Sequence, residues 1–534
     1  MTVLLPMLVI VPVAAASVLV LLTARSARPS PGVAVVVPAV LVLVAAGAVA
    51  LIVATADGVP VATAIGLWPP GVAIPFVADA LSALLLLTTA VLSLACTAFA
   101  LASGEAERRW FGPLVLVLTA GVNGALLTGD LFNLFVFVEV MLLPSYGLMI
   151  LARARRGSTA RVAGTRLFVV VNLLASTLLL AGVGLTYGTA GTVVLAELAG
   201  AAQRSGTVAV AVALVLLALA VKSAVVPFHG WLANTYPAAS PAVTALFSGL
   251  HTKIAIYAIY RIYAVVFAGD ALFLWVGLVL FSATMVIGVL GAVGETTTRS
   301  ILVFHMVSQI GYILLGLAIF GPLGLAAGIF YLIHNMVAKT SLFLSTGAVE
   351  TRYGGGELGR WSGLARREPL TAVAFFVGAL ALAGLPPLSG FVAKTALVLA
   401  AVDAGRITVA VLAVGVSLLT LLSMLKIWTS LFTGEVSGPD DGSGGQEEDE
   451  GEGAGEDADS DRTGAASSGS TLVAVQAMTG RRIGTGLIAP GLVLAAFTVV
   501  LGVGAQPLFA LCEVAAAGLV DTSAYVAAVL EGDR

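Results

Sequence analysis

Residues 211–230 read AVALVLLALAVKSAVVPFHG. Eleven apolar residues lead without interruption to Lys222, and Pro227 follows five residues later. The run does not alternate, as a barrel strand would between lipid and lumen. A helix apolar on every side belongs in a core or in lipid. An ionised side chain at the bilayer centre costs about 3 kcal/mol even on insertion scales. A lysine beside a helix-breaking proline in such a run therefore calls for a chemical reason.

The rest of the chain repeats the pattern. Of 534 residues, 59% are hydrophobic and 10% charged, where a soluble domain carries about a quarter charged. Apolar runs follow one another to residue 433 and recur at 485–505. At roughly 20 residues per crossing this predicts an all-α polytopic membrane protein of about fourteen transmembrane helices. The predicted organisation is 1–111 for helices one to three, 112–267 for helices four to eight, and 268–433 for helices nine to thirteen. An acidic segment over 434–484 and a final helix with a C-terminal segment over 485–534 complete it.

Arginine sets the orientation, because translocated loops avoid positive charge. With the N-terminus outside, the odd-numbered loops are cytoplasmic and hold Arg25, Arg28, Arg108, Arg109, Arg153, Arg299, Arg352, Arg366 and Arg482 among others. The even loops hold only Arg204 and Arg406, so both termini are expected outside. Arg261, late in the eighth span, breaks the pattern and is expected to snorkel to the outer face. Twelve of the 29 acidic residues fall between Glu435 and Asp461 in a Gly- and Ser-rich stretch without apolar periodicity. That stretch is expected to be a disordered cytoplasmic loop. Residues 507–530 are expected to form a short surface helix.

All five lysines, Lys222, Lys253, Lys339, Lys394 and Lys426, fall inside predicted spans, whereas the 21 arginines lie mostly in loops. A desolvated lysine can release its proton and arginine cannot, so a reversible carrier is the natural use of an intramembrane lysine. The alternative is a lysine that ties helices together, and it weighs most for Lys339 and Lys426, which are placed nearer their helix ends. Glu139 is the one acidic residue well inside a span and is expected to pair with a lysine on a neighbouring helix, their separation governing the amine's hold on its proton. Asp79 and Asp130, at span ends, read as caps.

The four histidines, His229, His251, His305 and His334, all lie between Lys222 and Lys339. Histidine can bridge lysines in a relay, and His334 is the first candidate, ahead of His251. His251 and Lys253 are two apart and cannot line one path. No HxxxH or HExxH spacing suggests a metal, and two isolated cysteines suggest no cluster.

Helix breaks sit beside two lysines: Pro227 after Lys222, and GLPPLSG (384–390) before Lys394. Broken helices near the midplane are where transporters place ion sites. Lys222 to Lys394 and Lys253 to Lys426 span nearly equal intervals, suggesting that helices four to eight are duplicated as nine to thirteen. With five helices per unit the second copy is inverted. On that offset Glu139 falls near Gln309 and Gly311, leaving the second unit without an evident carboxylate.

GDLFNLFVFVEV (129–140), KSAVVPFHGWLANTYPAASPAVTALFSGLHTKIAIYAIYR (222–261) and GLPPLSGFVAK (384–394) resemble the antiporter-like subunits shared by NADH:quinone oxidoreductase and Mrp-type cation/proton antiporters. SLLTLLSMLKIW (417–428) and the ending from Gln506 are similar to the D subunit of the Mrp type. The resemblance implies fourteen helices with two inverted five-helix repeats and broken helices seven and twelve. It implies as relay residues Glu139, Lys222, Lys253, His334, Lys339 and Lys394. It implies a proton-translocating subunit of a multisubunit Na+/H+, or K+/H+, antiporter in a bacterial or archaeal cell membrane, assembled with other membrane subunits. The alternative is a proton-pumping subunit of a respiratory complex or membrane hydrogenase. No cofactor, metal or nucleic acid is expected: no G-x-G-x-x-G after a strand and no Walker A run occurs.

Overall fold

The computed structural model describes residues 1–24, 32–68, 73–151, 159–435 and 482–531. In chain order the helices are α1 (Leu4–Ala24), α2 (Val33–Ala54), α3 (Ala80–Ala102), α4 (Phe111–Leu127), α5 (Leu131–Leu151), α6 (Thr159–Ala190), α7 (Ala201–Arg204), α8 (Gly206–Lys222), α9 (Gly230–Thr235) and α10 (Pro241–Phe267). There follow α11 (Ala271–Gly294), α12 (Thr298–Ile319), α13 (Gly321–Tyr353), α14 (Leu364–Arg367), α15 (Pro369–Ala383), α16 (Ser389–Asp403), α17 (Ile407–Leu431), α18 (Thr485–Val503), α19 (Ala505–Val520) and α20 (Ser523–Glu531). One antiparallel hairpin, β1 (Val61–Ala64) with β2 (Pro75–Ala78), lies between α2 and α3.

The protein is an all-α polytopic membrane protein. Among the described residues eleven helices are long and apolar enough to cross a bilayer. Shorter apolar helices at Phe111–Leu127, Gly206–Lys222 and Pro369–Ala383 stand where three further spans were predicted. Both predicted breaks are present: α8 ends at Lys222 and the chain resumes helix at Gly230, and α15 ends at Ala383 before α16 begins at Ser389. The acidic segment predicted as a disordered loop lies almost wholly outside the described residues, as do Arg25, Arg28 and Arg153.

Burial sorts the helices. Every residue of α10 from Ala242 to Phe267 is buried, and α12 and α13 are nearly so. In α11 and α17 most of the surface stays apolar and exposed, as it should where lipid is the solvent. Small residues allow the close crossings: a Cβ at Gly121 would stand 2.5 Å from the Met141 backbone nitrogen, and one at Gly288 2.2 Å from that of Ser308. These positions join α4 to α5 and α11 to α12.

Three expectations are corrected. Arg261 does not snorkel outward: it is 3% exposed and its guanidinium pairs with Asp79 at 2.5 Å. Asp79 also caps α3 in a reciprocal bond with Ser82, and the rings of Tyr257 and Tyr525 flank the guanidinium. The charge balance that permits its burial comes from a residue 182 positions away, and hydropathy carries no such information. Lys339 lies near the middle of the 33-residue α13 rather than near its end. The C-terminal segment forms two helices bent by 73°, and the first of them, α19, packs on α13, α3 and α10 with Cys512 buried. α20 rests on β1 and β2, and β2 also meets α1.

Candidate functional site

The first polar cluster forms where α8 ends. At the break the Val221 carbonyl loses its regular helix partner and accepts instead from the Ala224 N–H at 3.1 Å and from the Trp231 indole N–H at 2.8 Å. The Val226 N–H donates to the Thr284 hydroxyl at 3.0 Å. With the broken backbone repaired from outside, the Lys222 amine is free to reach α6, donating to Ser176 Oγ at 2.8 Å and to the Asn172 carbonyl at 3.4 Å. The Ser176 hydroxyl in turn donates to the Glu139 carboxylate. Glu139 and Lys222 are thus joined through a serine rather than in direct contact. Asn172 and Ser176, both buried, are four apart and so share one face of α6.

His251 stands across from this cluster. Its Nε2 is 2.7 Å from Ser145 Oγ and its ring packs 4.4 Å from that of Phe247. Lys222, Asn172 and His251 line one small cavity of about 10 Å³, at the threshold for holding a single water. Lys253, as expected, faces the other way. Its amine is 3.2 Å from Thr252 Oγ1, and its charge reaches Lys339 on α13. Lys339 donates to the Leu302 carbonyl at 2.9 Å.

The second cluster forms at the other break. Here the lysine itself repairs the freed backbone: Lys394 Nζ donates to the Ala383 carbonyl at 2.9 Å and to Ser417 Oγ at 2.9 Å. The Ser417 hydroxyl donates to the same carbonyl at 2.7 Å. The amine also lies 5.2 Å from the centre of the Tyr312 ring, which stacks on Tyr331 at 5.2 Å. The Tyr331 hydroxyl donates to Gln309 Oε1 at 2.5 Å. His334 Nδ1 is 2.8 Å from Ser389 Oγ, the first residue of α16. His305, given less weight from the sequence, lies within the electrostatic reach of both Lys339 and Lys394, and its Nε2 is 2.9 Å from Ser423 Oγ. Among the described residues, His334 Nε2 and His305 Nδ1 are buried without a hydrogen-bond partner. Such orphaned nitrogens are uncommon in buried positions and call for an explanation.

All four of Lys222, Lys253, Lys339 and Lys394 are buried, none more than 7% exposed. Lys426 stands apart. Its amine donates to the carbonyls of Val293 and Glu295, at 3.0 and 2.7 Å, capping the C-terminal end of α11, where a cation is favoured. It ties two helices. Asp130 behaves as the cap it was expected to be, accepting from the Asn133 N–H at 2.7 Å. No group of three or more metal-ligating side chains is assembled among the described residues.

The family described as NADH:quinone oxidoreductase/Mrp antiporter, transmembrane, matches residues 128–420. The chain belongs to this family. It is 35% identical over 473 residues to the D subunit of the Na(+)/H(+) antiporter of Alkalihalophilus pseudofirmus, covering 88% of each chain. It is 35% identical to the D subunit of the Na(+)/H(+) antiporter of Bacillus subtilis, over 70% of this chain and 76% of that one. A chain of the Mrp complex from Dietzia sp. is 56% identical, with a TM-score of 0.89 over 99% of this chain and 100% of its own. A chain of respiratory complex I from Thermus thermophilus, 23% identical with a TM-score of 0.73 over 97% of this chain and 100% of its own, shares the fold.

Proposed function

We propose that this chain is a proton-translocating subunit of a multisubunit Na+/H+ antiporter, a secondary transporter rather than an enzyme, assembled with other membrane subunits in a bacterial cell membrane. K+ is the alternative cation. The observation that carries the reading is the set of four amines buried in the bundle, one of them, Lys222, joined to Glu139 through the Ser176 hydroxyl, with His251, His305 and His334 buried among them. The likeness to antiporter D subunits along most of the chain favours this over the respiratory alternative, whose relatives share only the fold at 23% identity.

In this mechanism Glu139, Lys222, Lys253, His334, Lys339 and Lys394 carry the proton. The Ser176 hydroxyl lies between carboxylate and amine, so a small shift of either breaks the bridge and changes how firmly Lys222 holds its proton. His251 faces Lys222 across the small cavity, and Lys253 and Lys339 continue the row in the middle of the bundle. His305 and His334 connect it to Lys394, whose amine rests on the exposed carbonyl end of α15. Residues 112–267 and 268–433 form the two inverted repeats, each with one broken helix and one lysine beside the break. Both termini face outward, as the arginine distribution supports.

The test is exchange in vesicles, followed with a pH-sensitive dye, on assembled complexes carrying Lys222→Ala or Glu139→Ala. Undiminished exchange in a fully assembled variant would leave the charges as mere ties between helices and end this reading.

A further inference from the structure

Glu105 lies outside the lysine row, in the turn between α3 and α4, on the face where the arginines gather. Its carboxylate accepts from Ser240 Oγ at 2.5 Å and from the Ala242 N–H, at the first turn of α10. Beside it opens a cavity of about 700 Å³ lined by Ser103, Glu105, Glu107, Arg108, Ser240 and Arg299 among others. Arg299 is engaged elsewhere: it donates to the Pro237 and Ala239 carbonyls, at 3.0 and 2.5 Å, and pairs with Glu350. Among the described residues no ion pair forms on Glu105. Burial lifts its carboxyl above the ordinary range, and the pull of Ser240, Arg299, Arg108 and Ala242 in the other direction does not cancel this. Glu107 lines the same cavity, and the Cys96 thiol on α3 also lies within the electrostatic reach of Glu105.

Ser240, the N-cap of α10, also heads a row of four serine and threonine hydroxyls. Ser240, Thr244, Ser248 and Thr252 recur every fourth residue and so descend one side of the helix. The Thr244 hydroxyl donates to the Ser240 carbonyl at 2.9 Å and that of Ser248 to the Ala245 carbonyl at 2.9 Å. A hydroxyl that donates to its own helix keeps its acceptor lone pairs for a neighbour. The last of the four, Thr252, accepts from the Lys253 amine. A capping role for Glu105 would explain its bonds to α10. It explains neither the open cavity nor the hydroxyls that lead from the cap to a buried amine.

We propose that Glu105 is the proton-collecting group of the arginine-rich face, loading from this cavity and delivering along the α10 hydroxyls to Lys253. The proposal rests on the proton-translocation reading. An acid in the bath gives its proton to the Glu105 carboxylate. That proton leaves to the seam beside α10, where each oxygen of water or hydroxyl takes one proton as it releases another, and the neutral Lys253 amine becomes ammonium. No electrons move.

The experiment compares wild-type complex with Glu105→Gln, which keeps an oxygen to cap α10, in vesicles whose bath contacts the arginine-rich face. Without the collecting carboxyl, delivery depends on free protons, so the variant's rate relative to wild type should fall by up to about tenfold per unit rise in bath pH over the range in which wild-type Glu105 still holds its proton. Raising the concentration of an impermeant buffer such as MES should restore it. Wild-type rates at every pH, or a uniform loss indifferent to buffer, would overturn the proposal and leave Glu105 a cap. Absence of exchange from the wild-type complex would instead overturn the transport reading, and this proposal with it.

Discussion

The two broken helices solve one problem in opposite ways. At the first, a tryptophan and a threonine satisfy the loosened backbone, so Lys222 spends its hydrogen bonds on Ser176 and, through it, on Glu139. At the second, Lys394 itself satisfies the loosened backbone, together with Ser417, and its other neighbour is the face of Tyr312. One amine is joined to a carboxylate through a hydroxyl, the other rests on a backbone dipole and faces an aromatic ring. The difference teaches that, on the proposed mechanism, a shift of a neighbouring charge would act on the first amine directly and on the second hardly at all.

The comparison breaks most visibly if both amines are removed in turn. Lys222→Ala and Lys394→Ala should each lower exchange by on the order of a hundredfold or more, as loss of a proton-transfer group does. A variant retaining half its rate would show that its cluster is not in series with the other. Giving the second break a carboxylate, Ser417→Asp, should slow turnover by about tenfold or more, because an anion at contact distance favours the ammonium. Faster exchange would mean that the missing carboxylate had been limiting. Ser176→Ala tests the bridge itself: a roughly fivefold loss is expected, the worth of one net hydrogen bond near 1 kcal/mol. If Glu139 and Lys222 communicate across space alone, nothing should change. The smallest effect belongs to Ser417→Ala, about two- to threefold, since the Lys394 amine still holds the Ala383 carbonyl.

The sequence revealed the bundle, both breaks and the burial of the lysines, because each leaves a mark within about 20 residues: apolar run length, proline, or a charge where none should be. Contacts between distant helices left no such mark. Ser176 lies 37 positions from Glu139 and 46 from Lys222, and a serine in an apolar span is too ordinary to single out. Arg261 and Asp79 look unrelated until α3 and α10 stand together. Lys426 shares its residue type with Lys222, Lys253, Lys339 and Lys394; its predicted place nearer a helix end had raised a tie as the alternative, and its two carbonyl partners reveal it as a cap. Among the histidines the sequence favoured His334 and gave His305 less weight, and nothing within its own span could show that His305 stands within reach of two lysines on other helices.

Gly502, near the end of α18, presses on the turn between α15 and α16: a Cβ there would stand 2.2 Å from the Pro387 carbonyl oxygen and 2.5 Å from the Leu388 carbonyl carbon. α18 therefore buttresses that turn: a side chain at position 502 would push on the backbone that leads into α16 and Lys394, so a helix that carries none of the candidate residues helps to fix where one of them stands.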